Sequence, residues 1–301
     1  MGTDGMLLFT GALQLGLLYA MMAMGVYISF RILNIPDLTV DGSFTLGMAV
    51  CVMIAAQGRP ALGLLGAVLA GGAAGAVTGL LQTKLRIHPI LSGILTMTAL
   101  YSVNLFVMGG KANVSLSGAD TLFMLFEERT GLPTAVAGLV LTALFAGCLA
   151  AVLAVLFKTR LGISIRATGD NEEMVRSSSI NADFTKCVGF AFSNACVALA
   201  GALLCQYQKF ADISFGSGMV VVSLASVIIG EAIFGRRGVT FGLISVLVGA
   251  TAYQVIIALA LKVELFPAYG LKFVSAAIVT LSLAVPVIRR AVSKASKGAV
   301  K

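Results

Sequence analysis

Apolar runs of about twenty residues recur along this chain, the first of them being MLLFTGALQLGLLYAMMAMGVYISF from Met6 to Phe30. A helix needs about 20 apolar residues to cross roughly 30 Å of hydrocarbon, and only helices or closed barrels satisfy every backbone group there. The period-two alternation of barrel strands is missing. Nine segments are read, at about 6–30, 38–57, 60–82, 89–108, 132–157, 184–205, 217–234, 239–261 and 270–288. The expected fold is therefore an all-α polytopic membrane protein, a single transmembrane domain over residues 1–301. Composition agrees, since 58% hydrophobic residues, 11% charged residues and a mean hydropathy of +1.00 lie outside the range of soluble domains. The opening MGTDGMLLF lacks a basic region of the kind that starts a cleavable signal, so the first run is expected to be retained.

Nine crossings put the termini on opposite sides. With the basic tail 289–301 in the cytoplasm, that side holds Arg31, Lys84, Arg86, Lys158, Arg160, Arg166, Arg176, Lys186, Arg236, Arg237, Arg289, Arg290, Lys294, Lys297 and Lys301. The other side holds Arg59, Lys111, Arg129, Lys209, Lys262 and Lys272, and fifteen against six follows the positive-inside rule. The N-terminus is then outside, and the net charge of +8 is a topology signal with a lipid partner, not a nucleic-acid footprint. Five cysteines, Cys51, Cys148, Cys187, Cys196 and Cys205, show no metal-ligand spacing and read as packing residues. Gly71, Gly75 and Gly79 stand four residues apart and let another helix approach one face closely.

The longest hydrophilic interruption between the apolar runs, RATGDNEEMVRSSSI at Arg166 to Ile180, falls on the cytoplasmic side. Asp170 or Asn171 can cap a helix start, Glu173 completes a capping box with Asp170, and Arg176 suits the last turn. A helix of about ten residues is roughly 15 Å long, too short to cross a bilayer, so it lies on a surface or against a partner. An ordinary polar loop between two crossings would also carry such capping signals.

Between the first two segments, RILNIPDLTVDGSF places Pro36 beside Asp37 and Asp41. Proline, glycine and two carboxylates here point to a broken or re-entrant helix, tolerated only where protein or a water-filled cavity covers the backbone. A tight turn whose acid caps the next helix fits equally well. Ser92, Thr96, Thr98, Ser102 and Asn104 form a polar stripe on the fourth segment, which can line a path or bond back to its own helix. Asn34, Asp37, Asp41, Ser43, Ser92 and Thr96 are the candidate pathway residues. The stretch QYQKFADISFGSG also leads into an apolar helix, and its likeness to NIPDLTVDGSF is compatible with two loosely related halves. The outer loop 109–131 reads as solvated, although a docking surface for a partner would look the same, and Glu231 reads as a local ion pair with Arg236 and Arg237 or a snorkelling side chain.

No glycine-rich loop ends in Gly-Lys-Ser/Thr, so the chain has no phosphate loop of its own for ATP. Neither a Ser/His/Asp arrangement nor a metal cluster is read, and His88 is the only histidine. An enzyme is not expected. Acids mostly sit at segment ends, which disfavours an ion-coupled secondary carrier acting without an ATPase, the alternative reading.

At Arg166, Ala167, Gly169, Asn171, Ile180, Lys186, Ala200 and Gly201 the chain resembles the cytoplasmic loop and following helix of ATP-binding cassette (ABC) importer permeases of the branched-chain amino acid and ribose type. Ser179 replaces a usual glycine. NIPDLTVDGSFTLGMAV, LRIHPILSGILTM and GMVVVSLASVIIGEAIFGRRGVTFGLISVLVGA resemble three further blocks in the same order. The chain is most similar to permeases of aromatic amino acid importers, tryptophan or tyrosine in particular.

The resemblance implies a permease subunit of the bacterial inner membrane that moves a small organic solute, an amino acid, into the cytoplasm by alternating access. Its short helix would be a coupling helix seated in a separate ATPase through Asp170, Asn171, Glu172, Glu173, Met174, Val175 and Arg176, with Met174 and Val175 as apolar anchors. ATP and magnesium would sit on that ATPase and no cofactor on this chain. An extracytoplasmic substrate-binding protein and a second permease copy, forming a homodimer, complete the implied assembly.

Overall fold

The computed structural model describes residues 3–235, 238–262, 276–277 and 280. Helix α1 (Thr3–Val26) runs on as a π-helical turn (Tyr27–Ile32) and is followed by α2 (Thr39–Ala55), α3 (Pro60–Thr83), α4 (Pro89–Val107), strand β1 (Asn113–Ser115), α5 (Leu122–Thr130) and α6 (Thr134–Leu156). Then come α7 (Arg160–Asp170), α8 (Glu172–Ser177), α9 (Ala182–Gln208), strand β2 (Phe210–Asp212), α10 (Met219–Phe234) and α11 (Val239–Lys262). Each of the first eight apolar segments is a helix within a few residues of its expected bounds. The ninth segment, the basic tail, Arg236 and Arg237 lie outside the described residues.

Helices α1, α3, α4, α6, α9 and α11 are long and apolar enough to cross a membrane, whereas α2 and α10 are apolar but have 17 and 16 residues. Proline opens α3 and α4 at the first turn, where its missing N–H removes no helical hydrogen bond. Burial rises toward α1, α2 and α9, and thirteen of the 17 residues of α2 are inaccessible. The outer helices turn Leu65, Leu69, Phe106, Leu144 and Val155 away from the core, as helices bordered by lipid tails require.

Small residues let the central helices touch backbone to backbone. A Cβ on Gly75 of α3 would lie 2.2 Å from the Phe190 carbonyl oxygen of α9, and one on Gly71 would lie 2.6 Å from that of Asn194. A Cβ on Gly79 would lie 2.6 Å from Cys187 Cα, so the glycine stripe faces α9 along two full turns. Gly47 of α2 and Gly201 of α9 seat the same pair of helices against each other through the carbonyls of Ala198 and Phe44. These contacts fix α9 between α2 and α3.

Helix α9 is 27 residues, roughly 40 Å, so its two ends mark the two ends of the molecule. At one end lie α7 and α8, and at the other β1 pairs antiparallel with β2, Asn113 opposite Asp212. The side chains of Arg31, Lys84, Arg86, Lys158, Arg160, Arg166, Arg176 and Lys186 belong to the α8 end, and those of Arg59, Lys111, Arg129 and Lys209 to the hairpin end. Two local features go beyond the sequence expectations. The loop 109–131 is structured, with β1 and with α5 capped by Thr121, whose Oγ1 accepts the Met124 N–H at 3.3 Å. Glu231 reaches Arg31, 200 residues away, and so joins α10 to the π-helical turn after α1.

The glycine contacts yield a paired test. Gly75→Ala forces backbone apart and is expected to destabilise by about 1–3 kcal/mol. Gly72→Ala, whose Cβ would meet only Ala191 O at 3.7 Å and Ala195 Cβ at 3.8 Å, is expected to leave stability unchanged or raise it slightly. Thermal unfolding of the two variants in detergent measures the difference.

Candidate functional site

Two clusters bring the chemistry-bearing residues together, and α9 touches both. The first is the elbow at the α8 end. The expected ten-residue helix is instead two helices that meet at an extended residue, Asn171 (φ −156, ψ 101). Asn171 caps α8, its Oδ1 accepting the Met174 N–H at 3.0 Å, while Asp170 is the last residue of α7. The apolar runs and the hydrophilic stretch do not mark α7; its signals are Thr159, which caps it through the Gly162 N–H at 3.3 Å, and Gly162, Ile165 and Thr168 on one buried face. Gly169 sits so close to the Ile32 carbonyl that a Cβ there would overlap it at 1.9 Å.

The elbow is braced from beneath. Glu172 accepts Lys186 Nζ of α9 at 2.5 Å and Arg176 Nη2 at 2.9 Å, and Arg176 also donates to Asp183 at 2.5 Å. The Lys186 bond and the nearby guanidinium hold the Glu172 carboxyl below its ordinary value of 4.5. Such exposed pairs are individually weak and screened by salt, so their effect is mainly to fix the direction of α8 relative to α9. Val175 is buried beneath α8, whereas Met174 is 52% exposed. Asp170, Asn171, Glu173 and Arg176 also face solvent, and Glu172 is half-buried. Ser179 adopts the left-handed conformation (φ 61), which a glycine would take without strain.

The second cluster lies deep in the bundle. Asp37, buried, accepts the Thr39 N–H at 2.9 Å and Asn194 Nδ2 at 2.7 Å. Asn194 is twelve residues into α9, roughly 18 Å from its start, so α2 begins inside the protein and not at its surface. Asp41, one turn farther along α2, accepts the N–H groups of Gly218 at 2.9 Å and Val220 at 2.8 Å. A carboxylate of α2 thus caps the start of α10, and a Cβ on Gly216 would lie 2.0 Å from the Asp41 carbonyl oxygen. The irregular backbone at 33–38 enters from the α8 end and that at 213–218 from the hairpin end. Each is partly covered, with Leu33, Asp37 and Gly216 buried and Asn34, Pro36, Ser214, Ser217 and Gly218 exposed; broken helices survive in a membrane where protein or a water-filled cavity lies against them. The acids Asp37 and Asp41 are therefore not at the ends of the bundle, contrary to the expectation for this chain.

The other candidate pathway residues are dispersed. Asn34 is exposed at the α8 end and donates Nδ2 to the Gly169 carbonyl at 3.0 Å. Ser43 is buried, and its hydroxyl has no hydrogen-bond partner among the described residues. Ser92 and Thr96 are buried and bond back to their own helix, to Pro89 O at 2.8 Å and Ser92 O at 3.0 Å. With Gly93, Leu100 and Asn104 they form the face of α4 that packs inward, Asn104 Nδ2 donating to the Gly42 carbonyl at 3.2 Å; Thr98 and Ser102 face outward. A cavity of about 340 Å³ lies beside Asp41, bounded by Gly42, Thr45, Met97, Asn104 and Gly216. Among the described residues no group of three or more His, Cys, Asp or Glu side chains is placed to hold a metal.

The chain matches, over residues 8–283, the family described as branched-chain amino acid transport system, permease component. It belongs to that family. A tyrosine transport system permease protein of Clostridioides difficile (strain R20291) is 35% identical over 269 residues, 89% of the permease described here and 88% of that relative. The ribose import permease protein RbsC of Escherichia coli (strain K12) is 30% identical over 238 residues, 77% and 70% of the two chains. The D-allose transport system permease protein AlsC of the same strain is 29% identical over 227 residues, 74% and 67%. No solved structure matches the permease. Family and helices together make it a multi-pass membrane protein and a transport component, not an enzyme.

The brace on α8 is pH-dependent with a definite sign. Because folding depresses the Glu172 pKa, its contribution is complete above the unfolded value near 4.5 and is lost as pH falls through the lower folded value. Hydrogen exchange of the α8 amides, corrected for intrinsic rate, is expected to stay constant from pH 7 to about 5.5 and to speed up only at more acid pH. Glu172→Gln should show the faster exchange already at pH 7.

Proposed function

We propose that the chain is the transmembrane subunit of an ABC importer that carries an amino acid into the cytoplasm, driven by a separate ATPase bound at the α8 end. The observation that carries this reading is the braced elbow. It offers an exposed Met174 among Asp170, Asn171, Glu173 and Arg176, and is tied through Glu172 and Lys186 to the helix that also holds Asp37. A push on α8 is passed to α9 as a rigid body, and Asn194 passes it to the start of α2. In this arrangement Met174 and Glu173 contact the ATPase and Val175 supports the helix from below. ATP and magnesium are bound by the ATPase.

The deep meeting of α2 and α10 is the proposed crossing point, with Asp37, Asp41 and Ser43 beside it and Asn34, Ser92 and Thr96 in its walls or at its α8 end. Two permease copies form the full pathway, and a substrate-binding protein delivers solute to the hairpin end. The relative named for tyrosine transport favours an amino acid over the sugars named for the ribose and allose relatives, because its identity and coverage are higher. Ion coupling is disfavoured, since Asp37 and Asp41 each already accept two hydrogen bonds from fixed donors.

The double variant Glu173→Lys, Met174→Ala is expected to retain the fold and to lose at least tenfold of solute-stimulated ATP hydrolysis by the partner ATPase. If it still copurifies with a fully stimulated ATPase, the assignment of the elbow is wrong.

A further inference from the structure

A cavity of about 610 Å³ lies between α1, α10 and α11, on the other side of the 213–218 segment from the cavity beside Asp41. That volume falls in the range of pockets that enclose small organic ligands. Its depth is that of a crossing point. Tyr19 is sixteen residues into α1 and Tyr253 fourteen residues into α11, roughly 24 Å and 21 Å from the helix starts. The segment that closes it, Ser214 to Met219, is the one held by the Asp41 carboxylate.

The walls define what could fit. Phe215, Met219, Val222 and Ile257 supply an apolar surface, and no described residue lining the cavity carries a formal charge. Hydrogen-bonding side chains are Tyr19, Tyr253 and Gln254 toward α1 and α11, and Ser214 and Ser217 on the closing segment, where Ser214 already donates to Asp212. Gln254, 9% exposed, has a side-chain amide that makes no hydrogen bond among the described residues, and the Tyr19 hydroxyl makes none either. A polar ligand atom seated in the cavity could hydrogen-bond these groups, each such bond contributing on the order of 1 kcal/mol net. The first N–H groups of α10 give no anion cradle, because Gly218 and Val220 donate to Asp41 and Met219 donates to Gly216.

We propose that this cavity is a solute-binding site within the permease itself, taking a molecule of zero net charge with one large apolar or aromatic group and hydrogen-bonding its polar end to Gln254 and Tyr19. The proposal rests on the permease reading above and adds to it that this chain, not only a delivery protein, selects the solute. Among the described residues a cationic or anionic solute would find no charge to pair with, and a polyol would leave hydroxyls facing Phe215, Met219 and Ile257.

The test is equilibrium binding of labelled phenylalanine to the full-length chain in lipid nanodiscs, with tyrosine, leucine, lysine, glutamate and ribose as competitors. Tyrosine and leucine are expected to displace the label, and lysine, glutamate and ribose to fail at tenfold higher concentration. Gln254→Leu should weaken phenylalanine binding at least tenfold. Ile257→Trp, which fills the cavity, should abolish it, with both variants keeping the unaltered chain's thermal midpoint and its copurification with the ATPase. No binding by the unaltered chain, equal displacement by lysine or ribose, or unchanged binding in both variants overturns the proposal. Specific binding by a chain that recruits no ATPase would instead overturn the importer reading and leave this site standing.

Discussion

The Asp41 carboxylate, accepting the N–H groups of Gly218 and Val220, is the interaction around which this molecule is arranged. Two stretches of irregular backbone reach the interior from opposite ends, and in a bilayer each unpaired backbone group there costs several kcal/mol. Asp41 satisfies the start of α10, while Asp37 accepts the N–H of Thr39 at the start of α2. Neither short helix could begin at this depth without its acid, and neither acid could be buried without its donors. The glycines of α2, α3 and α9 then bring backbones close enough for Asn194 to reach Asp37.

In the proposed importer this arrangement gives α9 a mechanical role. One end is locked to α8 by the Glu172, Lys186, Arg176 and Asp183 network, its middle holds Asp37, and near its other end Gln206 donates to the Pro60 carbonyl at 3.0 Å. A helix packed against small residues on two neighbours moves as a unit, because close-packed interfaces shift between discrete arrangements and do not deform continuously. The Arg31 to Glu231 pair ties the turn after α1 to α10 at the α8 end, so both short helices are connected to the region of the elbow.

The sequence made the crossings legible because twenty-residue apolar runs and proline at helix starts are local signals. It also pointed to the broken backbone at Pro36 and the packing role of Gly71, Gly75 and Gly79. What it left open depends on distant partners. Asp170 and Asn171 look alike as caps, and only the course of α7 decides for Asn171. Met174 and Val175 are adjacent and apolar, yet α8 turns one outward and the other under itself. Glu231 has basic neighbours in sequence, and its contact with the distant Arg31 is brought in by packing of α1 against α10. Tyr19 and Gln254 carry no motif at all, and their shared cavity exists only because α1 and α11 lie side by side.

The central claim is that this chain moves solute only when a separate ATPase acts on it. Uptake into proteoliposomes, compared for the permease alone under an imposed proton or sodium gradient and for the permease with its ATPase and ATP, tests this most directly. The account predicts accumulation that requires both the ATPase and ATP hydrolysis and is indifferent to the gradient. Gradient-driven accumulation by the permease alone would contradict it.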